Sequence, residues 1–222
     1  MSQPYSADAR QYATATERNR QPILTVLQQV LPSMGTVLEI SSGTGEHITY
    51  FAPRMSHLQW IPSEPQAEAR QSIQAWGEAL PSANLWMPPL ALDVSVLPWP
   101  VERPVATDAL EQRLRSEPIT AIVNINMIHI CAWKMCAHLM AGAGRILPRE
   151  GVLYLYGPFR RAGEPMAASN EAFDQMLRDR DPNWGIRDLA KVTALANQHG
   201  LRLEQVIEMP ANNLSVVFRR QG

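Results

Sequence analysis

The 222-residue chain predicts an α/β fold, a doubly wound and mostly parallel sheet of seven strands that ends in an antiparallel hairpin. Three observations predict it. Short β-branched apolar runs alternate with segments of helical apolar spacing, the pattern of strand–helix units whose strands lie parallel. A cluster of small residues, SSGTG, directly follows the first run. The last two runs are joined by a link too short for a crossover, which suits an antiparallel pair.

The opening stretch to about Gln21 is polar. Pro22 suits the first turn of a helix, and Ile23, Leu24, Val26, Leu27, Val30 and Leu31 give that helix an apolar face up to Pro32. Residues 36–40 (TVLEI) form the first buried strand, and the helix after SSGTG runs through Tyr50 and Phe51 to Pro53. The second strand is Leu58 to Ile61. Its helix begins near Pro65, with Ile73, Trp76 and Leu80 on one face. A short strand at Leu90 to Leu92, a helix over Asp108 to Arg115 and the strand Ala121 to Ile125 continue the alternation. Trp133, Cys136 and Met140 share the next helical face, and Val152 to Tyr156 is the fifth strand. Ser169 can cap a helix carrying Phe173, Met176 and Leu177, and a further helix with Val192, Leu195 and Ala196 stops at Gly200. Leu201 to Ile207 and Leu214 to Arg219 close the sheet. With no repeat or linker visible, one domain over residues 1–222 is expected, residues 1–33 forming an N-terminal helical cover.

Composition limits the partners. Lys+Arg 20 against Asp+Glu 21 leaves a net charge of −1, which gives no support to a nucleic-acid groove or an anionic membrane surface. Pro 18 exceeds Gly 12, so the loops are expected to be stiff. Two cysteines exclude a disulfide scaffold and make a reducing compartment the default. The first residues lack the apolar core of a signal peptide, and no uncharged apolar run of ~18 residues occurs, so a soluble cytoplasmic protein is expected. The expected partner is a small molecule, with a homodimer compatible.

The sharpest functional signal is Glu39-Ile40-Ser41-Ser42-Gly43-Thr44-Gly45, where small residues let backbone approach a ligand and the helix start offers unpaired N–H donors. A dinucleotide fingerprint needs a third glycine, but Ile48 stands there, which argues against NAD. A ligand with an amino-acid end and a nucleoside end fits instead, Glu39 answering an ammonium. Glu64, 19 positions after Gly45, has the spacing of an acid that accepts from ribose hydroxyls, and Asp93 is placed for an adenine amino group. The rival reading is that Glu64 and Asp93 only cap helices. Val94 and Asn126, at neighbouring strand tips, complete the cofactor-binding set.

These residues resemble class I S-adenosylmethionine-dependent methyltransferases, whose first motif runs acidic-x-Gly-x-Gly-x-Gly, with Ser41 in place of the first glycine. The resemblance implies a Rossmann-like seven-stranded sheet and adenosylmethionine as cofactor. More narrowly, ERNRQPIL, VLEISSGTGEHITYFA, LQWIPSE, NINMIHICAW, LYLYGPF, SNEAFD, DPNWGIRD and PANNL look like the DUF938 family, which includes the methyltransferase-like 26 proteins. Arg18, Asn19 and Arg20 then either fold over the cofactor, as N-terminal segments do in many small-molecule methyltransferases, or face solvent.

Methyl transfer is an in-line displacement in which positioning and water exclusion supply much of the acceleration. His129, just beyond the strand ending at Ile125, is the candidate base, with a structural histidine as the alternative. Trp133, Tyr156, Phe159 and Trp184 are candidate acceptor contacts and Arg187 a candidate carboxylate partner, each against an ordinary packing or solvated role. Asn212 and Asn213 fit turn formation as well as ligand binding. His129, Cys131, Cys136 and His138 have zinc-ligand chemistry but the wrong helical spacing, so no metal is expected. The leading function is methyl transfer to the oxygen, nitrogen or sulfur of a small molecule. The alternatives are a non-catalytic adenosylmethionine sensor and a nucleotide-dependent oxidoreductase.

Overall fold

The computed structural model describes residues 8–103 and 107–222; the first seven residues of the expected N-terminal cover lie outside them. The strands are β1 (Thr36–Ile40), β2 (Gln59–Ser63), β3 (Ile119–Ile125), β4 (Val152–Gly157), β5 (Phe159–Arg160), β6 (Arg187–Asp188), β7 (Leu201–Met209) and β8 (Asn213–Arg220). The helices are α1 (Thr14–Val30), α2 (Glu46–Phe51), α3 (Ala67–Ala79), α4 (Asp108–Ser116), α5 (Trp133–Ile146), α6 (Ala168–Arg180) and α7 (Leu189–Gln198).

The main sheet has six strands in the order β2-β1-β3-β4-β8-β7. β2, β1, β3 and β4 run parallel, while β8 is antiparallel to both β4 and β7. Alternate residues of each strand feed two cores, as the two-residue period of a strand requires. Leu38, Ile40, Ile122, Leu153 and Phe218 pack with Trp99, Met140 and Ala196. Val37, Ala121, Val123, Tyr154 and Val217 pack on the other face with Ile23, Leu27 and Phe51. Strand order reverses between β1 and β3, which opens a crevice beyond their carboxyl ends.

Three expectations are corrected, and one pair of strands is new. The segment at Leu90 to Leu92 is not a strand, which leaves six strands rather than seven in the main sheet. It makes one isolated bridge, Ser63 to Leu90, and the stretch before it one more, Trp60 to Leu85, because Pro62, Pro88 and Pro89 carry no N–H to extend a ladder. α1 begins at Thr14, not Pro22. Pro22 lies inside it, and the buried face of Ile23, Leu24, Val26, Leu27 and Val30 offsets the backbone bond that proline removes. The residue flanking α6 is Ala167, and Ser169 sits within the helix. The two-stranded pair β5–β6 has no counterpart in the sequence reading, since two residues are too few to show a period.

Gly200 does follow α7, at φ +70°, the left-handed conformation a helix stop requires. No described helix is long and apolar enough to cross a membrane.

Candidate functional site

A cavity of about 550 Å³ opens at the carboxyl ends of β1, β2 and β3. Its floor is the turn from β1 into α2. Ser41, Gly43 and Gly45 hold φ of +57°, +56° and +92°, so the chain reverses within five residues through three left-handed positions. Only the glycines enter that region without a Cβ penalty, and Ser41 carries the strain that a glycine would avoid.

The two glycines do different work. A Cβ on Gly43 would meet nothing within 4 Å and would point into open space. A Cβ on Gly45 would lie 2.8 Å from the Ile73 Cα, so Gly45 exists to let α3 pack against the turn. Gly45→Ala should therefore destabilise the fold by about 1–3 kcal/mol, a drop of roughly 2–10 °C in Tm measured by circular dichroism.

The turn is tied to β2. The Ser42 N–H donates to the Ser63 carbonyl (2.9 Å) and the Ser63 hydroxyl to the Glu39 carbonyl (2.6 Å). The Gly43 N–H donates to Glu64 Oε2 (3.1 Å) and the Gln66 N–H to Glu64 Oε1 (3.2 Å). Glu64 thus holds the loop while facing the cavity, and burial pushes its carboxyl up against those bonds.

Glu39 is the most deeply buried acid of the cavity wall. It is 1% exposed on β1, lines the cavity, and its Oε2 has no hydrogen-bond partner. Burial raises its pKa to about 7, opposed by a hydrogen bond from Ser42 and reinforced by Glu64. A buried carboxyl with one oxygen unsatisfied is a standing cost that a cation in the cavity would relieve.

Asp93 and Val94 line the opposite wall beneath Leu92. Asp93 Oδ1 accepts from the Ser95 hydroxyl (2.7 Å) and N–H (2.8 Å), which lower its pKa. Asn126, left-handed at φ +61° and bonded through its N–H to the Tyr156 carbonyl (2.9 Å), presents the tip of β3.

Seven of the nine expected cofactor residues, Glu39, Ser41, Gly43, Glu64, Asp93, Val94 and Asn126, therefore line one cavity. Gly45 lies beneath it. Asn19 lies behind it: its Oδ1 accepts from His47 Nε2 (2.8 Å), and its side chain also bonds Tyr156, so it braces α1 against α2 and β4. His47 itself is on the wall and neutral at pH 7, its pKa lowered to about 4 by burial and the nearby Arg20.

The part of the N-terminal segment that reaches the cavity is Gln11 to Thr16, not Arg18 to Arg20. The Gln11 N–H donates to the Ser72 hydroxyl (2.8 Å), which donates to the Thr44 carbonyl (2.7 Å). The Ala13 N–H donates to Glu46 Oε2 (2.6 Å). This wall, with Met127, Ile130, Cys131 and Met135 on the far side, has no sequence motif to announce it.

None of the five expected acceptor contacts lines the cavity. Tyr156 and Phe159 are buried in opposite cores, and Trp184 is half-buried in the turn after α6. Trp133 is exposed at the start of α5, beneath the Arg187 guanidinium. Arg187 donates to the backbone carbonyls of Ile128 (2.8 Å) and Asn183 (2.9 Å), so it pins loops rather than waiting for a carboxylate.

His129 is 2% exposed and does not line the cavity. Its ring meets Phe173 edge-on, its Nδ1 has no partner, and burial lowers its pKa to about 3, with Arg187 adding to the shift. A Cβ on Gly157 would stand 3.1 Å from that Nδ1 and 3.4 Å from Asn126 Oδ1. The imidazole thus lies one side chain behind the wall. Among the described residues no group of three His, Cys, Asp or Glu side chains is arranged to hold a metal.

Solved structures share this architecture. The mitomycin 7-O-methyltransferase MmcR superimposes with TM-score 0.71 at 14% identity, covering 93% of this chain and 54% of that one. CalO1, a methyltransferase in calicheamicin biosynthesis solved in its SAH-bound form, gives 0.66 at 17%, covering 93% and 55%. Human N-acetylserotonin methyltransferase in complex with SAM gives 0.67 at 12%, covering 94% and 53%. The chain spans about half the length of these proteins, and at such identities the likeness is one of fold. Residues 10–220 match the family described as "Protein of unknown function (DUF938)", and the chain belongs to that family.

Proposed function

We propose that the protein is a methyltransferase-like 26 type enzyme that binds S-adenosylmethionine in this cavity and methylates a small acceptor in the cytoplasm. The observation that carries the reading is Glu39: a fully buried, unpartnered carboxyl oxygen on the cavity wall beside a left-handed glycine turn. The cavity volume suits a nucleoside of that size. The SAM- and SAH-bound proteins of the same fold add support.

When bound, adenosylmethionine would supply an electrophilic methyl on a sulfonium for in-line displacement by the acceptor. Glu39 holds the ammonium. Glu64 would accept from ribose hydroxyls while still holding the Gly43 N–H, Asp93 would accept from the adenine amino group, and Val94 would pack on the base. Gly43 lets the backbone approach, and Asn126 borders the reacting end.

His129 is the base of this reading through its partnerless Nδ1; because it lies one side chain behind the wall, it takes the acceptor's proton only once the Asn126 tip moves aside. His129→Gln should then lower turnover by up to about 10²-fold, the low end for a base whose pKa lies well below the working pH, with cofactor affinity unchanged. Because its pKa is already near 3, the wild-type rate profile should lack a bend between pH 6 and 7 from this group. Such a bend that disappears in the variant would contradict the buried-base assignment. Trp133, exposed two residues beyond the wall residue Cys131, is the acceptor contact retained.

Methyl-labelled adenosylmethionine incubated with the protein and a metabolite extract tests the activity. A labelled small molecule formed only with active protein is the expected result. Cofactor binding without product across broad extracts would make the protein a sensor.

A further inference from the structure

The chain has two cysteines, and the fold brings them together. Ala132 precedes the first turn of α5, so Cys131 lies just before the cap and Cys136 is the fourth helical residue. Side chains at these two positions pack against each other at helix starts. Here both are thiols, and both sulfurs approach one atom, the Ile128 carbonyl oxygen, at 3.7 Å from Cys131 and 3.6 Å from Cys136.

Their surroundings differ. Cys131 is half-buried and on the cavity wall, whereas Cys136 is fully buried. The Arg187 guanidinium donates to the carbonyls of Ile128 and Cys131, which sets a positive charge beside the outer thiol. The start of α5 has no side-chain cap and adds its own partial positive charge.

We propose that Cys131 and Cys136 are a paired-thiol modification site that reacts with a low-molecular-weight disulfide such as glutathione disulfide and closes into a Cys131–Cys136 disulfide.

The two thiols divide the roles. A hydrogen bond from Cys136, aided by Arg187, lowers the pKa of Cys131. The same bond, together with burial, raises that of Cys136. Cys131 is therefore the accessible nucleophile and Cys136 the resolving thiol. The Cys131 thiolate attacks one sulfur of glutathione disulfide; that S–S bond breaks, and the first glutathione leaves with the proton Cys131 gave up. Cys136 then attacks the Cys131 sulfur, loses its proton, and releases the second glutathione. Two protein thiols are oxidised and one disulfide is reduced to two thiols. Oxidation withdraws the Cys131 sulfur from the cavity wall toward the buried Cys136.

The test uses the full chain in glutathione buffers of increasing oxidised fraction, followed by acid quench, alkylation and trypsin digestion. Lys134 lies between the cysteines, so the disulfide joins two peptides, residues 116–134 and 135–145, that trypsin otherwise separates. The expected result is a linked pair that dithiothreitol separates. Cys136→Ser should stop at one glutathione on Cys131, and Cys131→Ser should take none. In reduced wild-type protein, alkylation of Cys131 should outpace that of Cys136 by at least about tenfold, which needs no variant. Two free thiols at full oxidation, stable glutathione on both cysteines, or faster alkylation of Cys136 would overturn the proposal.

Discussion

Glu39→Gln is expected to make the ligand-free protein more stable and the cofactor complex weaker. The carboxyl titrates near 7 instead of 4.5, so the folded state holds a proton that the unfolded chain has released. Its stabilising contribution is complete below about pH 4.5 and is lost as pH rises through about 7. At pH 8 the buried carboxylate costs on the order of 3 kcal/mol relative to its protonated form. Glutamine removes that cost, and Tm should rise by up to roughly 6–12 °C at pH 8 with little gain at pH 5. Adenosylmethionine affinity should fall about 10–100-fold, the worth of a hydrogen bond to a charged group. Between pH 6 and 7.5 wild-type affinity should rise with pH as Glu39 ionises, and the variant should lose that slope. Parallel thermal melts and calorimetric titrations measure both halves. A variant with lower stability and undiminished affinity at pH 8 would remove Glu39 from the ligand site.

Gly43→Val is expected to do the reverse, sparing most of the fold while eliminating binding. The added side chain meets no protein atom within 4 Å at its Cβ, so no core element has to move. Holding a β-branched residue at φ +56° costs about 1–2 kcal/mol, or roughly 2–8 °C in Tm. The isopropyl group then occupies the space beside the Glu64 carboxylate, and affinity should fall by more than about 100-fold. Gly43→Ala, with less backbone strain and less bulk, should lie between wild type and Gly43→Val. If calorimetry on folded Gly43→Val returned wild-type affinity, the cavity would not be the nucleoside site. Gly45→Ala supplies the contrast, because its Cβ collides with α3 and its expected defect is one of stability.

The parts legible in the sequence are those with a local cause. TVLEI followed by SSGTG names a strand, a tight turn and a helix start, and Glu39, Gly43 and Glu64 all reach the cavity. Two-residue alternation along VLYLY assigns the faces of β4 to two cores. What escaped depends on distant contacts. Whether Tyr156 and Phe159 face a ligand or a core depends on which helix covers each face, which spacing within one strand does not record. Gln11 to Thr16 has no apolar period, yet bonds to Ser72 and Glu46 fold it into a wall. Pro22 reads as a helix start because a start is where proline costs least, and only packing of the preceding turn against His47 and Tyr156 through Asn19 extends α1 backward. Leu90 to Leu92 has strand composition, but the prolines around it leave too few donors for a ladder.

The central claim is that a sulfonium nucleoside occupies the cavity above Glu39. Isothermal titration of the full chain with S-adenosylmethionine and S-adenosylhomocysteine, with NAD alongside, tests it most directly. The account predicts saturable one-to-one binding of both sulfur nucleosides, mutual competition between them, and no heat from NAD. No heat and no shift in Tm with either sulfur nucleoside at millimolar concentration, or a preference for NAD, would contradict it.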